Sequence, residues 1–252
     1  MTQTTVTQGA LSVQLYTVRD AIAADLPEAL GRLADIGFEN VEPFGFVERA
    51  EGYRLHLAAN GLVAPSAHAS LVGVDLEPVF AAATALGIET VIDPYVDPER
   101  WTTREGVAGV AADLSAASSA AAAHGLRVGY HNHAFELENQ IDGRTALEVF
   151  ADLLDDSVLL ELDTYWAAVG GQNVPELLAR LGGRVRFLHV KDGPISKVDT
   201  EQTAVGDGRM PVAEILEANP TALRVIELDA FDGDVFDALT ASFAHLTPEG
   251  HA

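Results

Sequence analysis

The chain contains no cysteine. That excludes disulfides, thiolate metal sites and a cysteine nucleophile. Basic residues are few as well: 15 Lys plus Arg stand against 38 Asp plus Glu, for a formal net charge of −23. Nucleic-acid binding depends on Lys and Arg contacts to phosphates, so this balance argues against such a partner. The acidic excess reads as a solubilising surface. The opening MTQTTVTQGA has neither the basic region nor the apolar stretch of a secretion signal, and no apolar run reads as approaching the ~20 residues that span a bilayer. The expectation is a soluble cytoplasmic protein with no membrane partner. Residues 1–10 read as a disordered N-terminal segment and 11–247 as one domain.

What is present is alternation. Short apolar runs read as buried strands over Leu11–Tyr16, Asn40–Phe44, Val63–Ala69, Thr90–Tyr95, Arg127–His133, Val158–Thr164, Arg184–Val190 and Arg224–Leu228. Amphipathic stretches separate them: Leu26–Ile36, Glu51–Asn60, Leu76–Leu86, Thr103–His124, Arg144–Leu154, Val174–Leu181, Val212–Ala218 and Val235–His245. Asp25 offers an N-cap, and several helices stop at a glycine such as Gly37 or Gly87. Eight strands and eight helices in strict order, in 252 residues, predict a single (β/α)8 TIM barrel. A doubly wound open sheet would carry a Gly-rich first βα turn; here that turn is LYTVRDAIAAD, without glycine.

Barrel enzymes do their chemistry where the strands end. Strands six, seven and eight end on Asp163, His189 and Glu227, and strand five offers His131, Asn132, His133 and, slightly later, Glu136. Carboxylate and imidazole donors of this mix suit Mn²⁺, Mg²⁺, Co²⁺ or Zn²⁺. Lys191 follows His189 by two residues, so it shares the interior face and is placed to bind a substrate oxygen. The first half adds Tyr16, Glu42, His68 and Asp93 at strand ends. Trp166 and Phe44 read as apolar pocket walls, Trp101 as packing, and Arg209 in GDGRMP as a loop cation able to reach an anionic group.

At YHNH-x-x-E and HVKD the chain resembles the xylose isomerase-like barrel superfamily, in particular bacterial sugar phosphate isomerases/epimerases. The resemblance runs from LSVQLYTVRD to the last helix. It implies one divalent ion, Mn²⁺ by preference, held by Asp163, His189, Glu227 and a strand-five residue. The family usually has Glu at that last position. Here the match falls on His131, with Glu136 as the alternative register. It further implies acid/base work for His133 and substrate contacts for Glu42 and His68. The expected activity is proton abstraction next to a carbonyl of a keto sugar, as an isomerase or epimerase. The alternatives are a lyase or dehydratase acting on a 3-keto-glycoside or inosose, and a non-catalytic sugar-binding subunit. A DNA-repair role, also found in the superfamily, conflicts with the charge. Members are often dimers or tetramers, so a homo-oligomer is compatible.

Overall fold

The computed structural model describes residues 10–247. Eight parallel strands form one sheet: β1 (Leu11–Gln14), β2 (Asn40–Glu42), β3 (Ser66–His68), β4 (Thr90–Asp93), β5 (Arg127–His131), β6 (Leu159–Asp163), β7 (Val185–Val190) and β8 (Leu223–Ile226). Each pairs with its chain neighbours, and β8 pairs back onto β1 with Leu11 opposite Arg224. Between β2 and β3 the ladder reduces to two bridges, Asn40 to Val63 and Phe44 to His68, which complete the circle. The expected (β/α)8 barrel is the observed fold. The expected disordered segment lies outside the described residues except for Ala10, whose carbonyl accepts from the Arg224 N–H.

The strands are shorter than their apolar runs, for local reasons. β1 stops at Gln14, whose side chain accepts from the Tyr16 N–H and starts a short 3-10 helix over Leu15–Val18 that leads into the helix Arg19–Ala24. Pro43 ends β2, Pro65 precedes β3 and Pro94 ends β4, because proline supplies no ladder donor. The stretch expected as one helix from Arg144 begins as a hairpin, Gln140–Ile141 against Arg144–Thr145. Its turn, Asp142-Gly143, has both residues at positive φ, the geometry this tight reversal demands. Thr145 then caps the helix Ala146–Leu153 in a reciprocal box with Glu148.

Successive strand side chains alternate between the lumen and the helical shell. At the lower end the lumen is filled by Ile92, Phe187, Leu223 and Val225, with Ala10 and Leu159 against them. Gly129 makes room there, since a Cβ would meet Ile92 Cγ1 at 3.0 Å. Outside the barrel wall, Trp101, Tyr130 and Phe150 form an aromatic cluster with centroids 5.0–5.1 Å apart. The segment Arg104–His124 is long and apolar enough, by composition alone, to cross a membrane, contrary to the reading of the sequence. It is a wall helix: Val107, Val110, Ala111, Leu114 and Ala117 are buried, while Glu105 and Asp113 face out.

Candidate active site

Alternation decides what reaches the upper lumen. On β7, Phe187, His189 and Lys191 share a face; on β6, Glu161 and Asp163; on β8, Val225, Glu227 and, just beyond, Asp229; on β5, His131 and then His133. The polar end of the lumen therefore collects carboxylates and imidazoles above an apolar plug. All of them are buried save His133 and Asp229, which are half-buried.

His131, Asp163, His189 and Glu227 present ligand atoms within 4.8 Å of one another. Asp163 is held for this by local structure. Its Oδ1 caps the helix Thr164–Val169 by accepting from the Trp166 N–H at 2.8 Å, and the Asn132 carboxamide accepts from its backbone N–H at 3.0 Å. Its Oδ2 is buried and makes no hydrogen bond, although Lys191 Nζ lies 2.9 Å away outside bonding geometry. Lys191 Nζ also sits 2.7 Å from Glu227 Oε2 and 2.8 Å from Asp229 Oδ1. The lysine is thus surrounded by three carboxylates. The adjacent Asp192 accepts instead from the N–H groups of Gly193, Gly206 and Met210.

A second layer lies behind the first. Glu161 Oε2 is 2.6 Å from His68 Nε2, 3.1 Å from His131 Nδ1 and 3.1 Å from His189 Nε2. Glu42 Oε1 lies 2.8 Å from His189 Nε2 and accepts from Gln14 Nε2 at 2.8 Å; Ser66 donates to its other oxygen. The remaining nitrogens, His131 Nε2 and His189 Nδ1, face Asp163 at 3.8 Å and Glu227 at 2.7 Å. Carboxylates behind metal-binding imidazoles fix their tautomer and orientation. His68, His131, Glu161 and His189 also lie within 4.8 Å of one another, but that set shares both of its other imidazoles with the upper one.

Burial opposes charge everywhere in this cluster, and the partners decide the outcome. Burial disfavours the imidazolium of His68, yet Glu42 and Glu161 raise its pKa to about 10. His189 likewise ends well above the usual value through Glu161 and Glu227. Asp163 is raised to about 6 by burial, with Lys191 and His189 pulling the other way. His131 is held well below the ordinary value by burial and by the neighbouring His189. Five carboxylates, Glu42, Glu161, Asp163, Glu227 and Asp229, thus gather around Lys191, His68 and His189. The carboxylates outnumber these basic partners, an excess of acceptors that suits a cation. With the unbonded Asp163 Oδ2, this donor set fits such an ion.

The other candidates fall into place around this centre. His133 lines the cavity and its Nδ1 is buried without a hydrogen bond; burial and Lys191 lower its pKa to about 4, so the ring is a neutral imidazole. Glu136 is on the wrong side of the wall to act as ligand or base. It is buried, accepts from the Tyr130 hydroxyl at 2.6 Å and the His133 N–H at 2.8 Å, and belongs to neither ligand set. Tyr130 points outward because it alternates with His131, and Glu136 goes with it. Glu42 and His68 meet in the second layer at 3.1 Å, and His68 reaches the cavity. Phe44 lines the cavity as expected of an apolar wall; Trp166 instead donates from Nε1 to Asp229 Oδ2 at 3.1 Å. Arg209 is exposed on the loop, with only its backbone N–H tied to Gly193, and does not line the cavity. Asp93 accepts from the N–H groups of Leu71, Val72 and Tyr95 and so braces the loop after β3. Glu161 was not among the sequence candidates. Its spacing of two from Asp163 was the signal, as was that of Asp229 from Glu227.

The fold and site together are a (β/α)8 barrel with a buried carboxylate–imidazole centre at its mouth that could hold a metal ion. Residues 30–218 match the family model for the xylose isomerase-like TIM barrel, and the chain belongs to that family. Among solved structures it is similar to a sugar phosphate isomerase/epimerase from Parabacteroides distasonis, at 21% identity over 98% of this chain and 97% of the other, with a TM-score of 0.81. It also resembles a probable 3-DHS dehydratase, AsbF, from Bacillus anthracis (14% identity, 94% and 98% covered, TM-score 0.71). A third relative in fold is the IOLI protein with a binding zinc atom (14% identity, 92% and 95% covered, TM-score 0.71). A search of curated proteins finds no match.

Proposed function

We propose that this chain is a divalent-metal-dependent enzyme that removes a proton next to a carbonyl of a sugar-type ketone, acting as an isomerase or epimerase. The observation that carries the reading is that His131 and Glu227, two members of the His131/Asp163/His189/Glu227 donor set, line the same cavity of about 550 Å³ as His133, whose buried Nδ1 makes no hydrogen bond. His131, Asp163, His189 and Glu227 would hold the ion, for which Mn²⁺ is our choice. Such an ion supplies Lewis-acid stabilisation of the negative charge that develops on neighbouring substrate oxygens. His133, which lines the cavity as a neutral imidazole with an unbonded nitrogen, takes the proton as a positioned base. Lys191, once its carboxylates are shared with an ion, is free to donate to a substrate oxygen from the same face. Glu42, Gln14 and Ser66 do no chemistry in this scheme; they fix His189 and His68 from behind. The acidic surface supports a small-molecule enzyme rather than a nucleic-acid-binding one.

Where the proton returns decides isomerisation or epimerisation, and loss of a neighbouring group instead gives a lyase. The lyase reading has one observation in its favour: the cavity extends past the polar floor along an aromatic wall, leaving room for a departing group. Both are tested by incubating keto sugars with the Mn²⁺-loaded protein in D₂O. Deuterium at the carbon next to the carbonyl, with no water lost, is the expected result. Elimination products would favour the lyase. A metal-loaded protein that exchanges no proton on any keto sugar would return the chain to the binding-subunit reading.

A further inference from the structure

The cavity has two unlike sides. One is the polar floor of His68, His131, His133, Glu227 and Asp229. The other is a wall of Tyr16, Phe44, Val74 and Tyr95, contributed by the first four βα loops. Tyr16 and Phe44 meet edge to face at 5.3 Å, and Tyr95 stands edge-on to the His133 ring at 5.7 Å, which joins the wall to the floor. Three of these side chains stay open to solvent: Tyr16 at 42%, Val74 at 44% and Tyr95 at 54% exposure. Open apolar surface concentrated on a pocket wall marks a ligand contact.

Charge narrows the ligand further. Among the described residues, no lysine or arginine lines this cavity, whereas Glu48, Glu227 and Asp229 do. Lys191 lies beneath, surrounded by three carboxylates. Arg19 does not line the cavity: its guanidinium packs 4.2 Å from the centre of the Tyr16 ring and donates to the Tyr16 carbonyl at 2.9 Å. Arg209 is exposed on the loop. A phosphoryl group prefers bidentate arginine, lysine or a helix N-terminus, and like charge at close range is repulsive. A sugar phosphate would meet carboxylates here. A ring placed on the aromatic wall would gain apolar contact, each aromatic pair contributing about 0.5–1.5 kcal/mol beyond area burial.

We infer that the substrate is an uncharged glycoside, with its sugar ring on the histidine–carboxylate floor and a second ring, sugar or aglycone, against Tyr16, Phe44 and Tyr95. The inference rests on the proposed reaction for the floor, and it separates this chain from enzymes of sugar phosphates. A lone hexose would leave the wall uncovered in a cavity of about 550 Å³, a size within the usual range for drug-sized ligands.

The test is calorimetric titration of the full-length, Mn²⁺-loaded protein with glucose, glucose 6-phosphate and phenyl β-glucoside. Phenyl glucoside should bind about three- to tenfold tighter than glucose, and glucose 6-phosphate no tighter than glucose. Tyr95→Ala and Tyr16→Ala, both at exposed positions, should lower the affinity for phenyl glucoside more than that for glucose. Tighter binding of glucose 6-phosphate than of glucose would overturn the inference, above all if Arg19→Ala abolishes it. So would equal binding of glucose and phenyl glucoside, or no measurable binding of the latter. The D₂O exchange assay keeps the two readings apart. Exchange confined to phosphorylated keto sugars sinks the glycoside inference and upholds the reaction. A phenyl glucoside preference in a protein that exchanges no keto sugar upholds the wall and sinks the reaction.

Discussion

Strands β1 to β4 end on Gln14, Glu42, His68 and Asp93, while β5 to β8 carry His131, Asp163, His189 and Glu227 at their ends or one residue from them. The residue types are alike; their surroundings differ. In the first half the polar ends are used up within the protein. Gln14 and Ser66 satisfy Glu42, Glu42 and Glu161 hold His68, and Asp93 takes three backbone N–H groups. What this half offers to a ligand is aromatic surface. In the second half the polar ends are left partly unsatisfied: Asp163 Oδ2, Glu161 Oε1 and His133 Nδ1 are all buried without a hydrogen bond. Buried polar atoms without partners are costly and rare, and they mark a place where something else binds or reacts. On the proposed reading, one repeated βα unit supplies recognition on one side of the mouth and chemistry on the other.

The most damaging way to break this division is Asp163→Ala. It removes the ligand oxygen and leaves Lys191 with two carboxylates instead of three. Metal measured by elemental analysis should fall to background, and turnover with it. Loss of the helix cap adds about 1 kcal/mol of destabilisation, which the fold tolerates. Full metal content in this variant would move the site elsewhere.

Next comes His133→Ala. A positioned base contributes about 10²–10⁴-fold, so the D₂O exchange rate should drop by that factor while metal content stays unchanged. Exchange as fast as in the parent chain would show that the base is another group.

Glu161→Gln probes the second layer. The carboxylate touches three imidazoles, and outer-layer partners of this kind typically change metal affinity by about 10–100-fold when altered. A Mn²⁺ titration followed by electron paramagnetic resonance should show weaker binding in that range. Unchanged affinity would make Glu161 a packing residue.

Glu161 also shows how far the sequence could be read. Alternation predicted the strands, and a strand end predicted Asp163, but a period of two places Glu161 on the same face one layer down. Reading only the last residue of each strand hides a second layer. The error at Glu136 has the opposite cause. After His131 the strand ends and the chain turns into the short helix Phe135–Glu138, so strand periodicity no longer tells which side Glu136 faces. Two local features were also legible. Asp142-Gly143 is a hairpin signal just before what read as a helix, and LYTVRDAIAAD is mostly helical despite following a strand. The aromatic wall was not legible as a wall, because Tyr16, Phe44 and Tyr95 come from three separate loops that only barrel closure brings together.

A smaller effect sharpens the outer boundary of the chemical half. Burial raises the carboxyl of Glu136 to about 8, against hydrogen bonds from Tyr130 and His133 that lower it. The folded state keeps a proton there that the unfolded chain releases near 4.5, so this group favours folding at low pH. Its contribution is lost as pH rises from about 4.5 to about 8. Glu136→Gln carries no such titration. In urea melts the variant should gain on the parent chain between pH 5 and about 8, and it should keep its metal. A stability difference that is flat across this range, or loss of metal, would return Glu136 to the site.

The smallest effect is expected at Arg209, and it tests the recognition half. From sequence, an arginine directly after Gly206-Asp207-Gly208 in a loop over the mouth suggests a contact with an anionic group. In the structure that loop is ordered by other means: Asp192 gathers three of its backbone N–H groups, and Arg209 adds only its own N–H to Gly193. Its side chain is exposed and does not line the cavity. Surface substitutions of this kind stay within about 0.5 kcal/mol, or about twofold in an equilibrium or rate. Arg209→Ala should therefore leave thermal stability and kcat/KM on an uncharged substrate within that margin, at low and high salt alike. A larger loss confined to low salt would mean that the arginine closes over the mouth onto a negative group. In that case the aromatic wall would no longer be the sole reader of the substrate's far end.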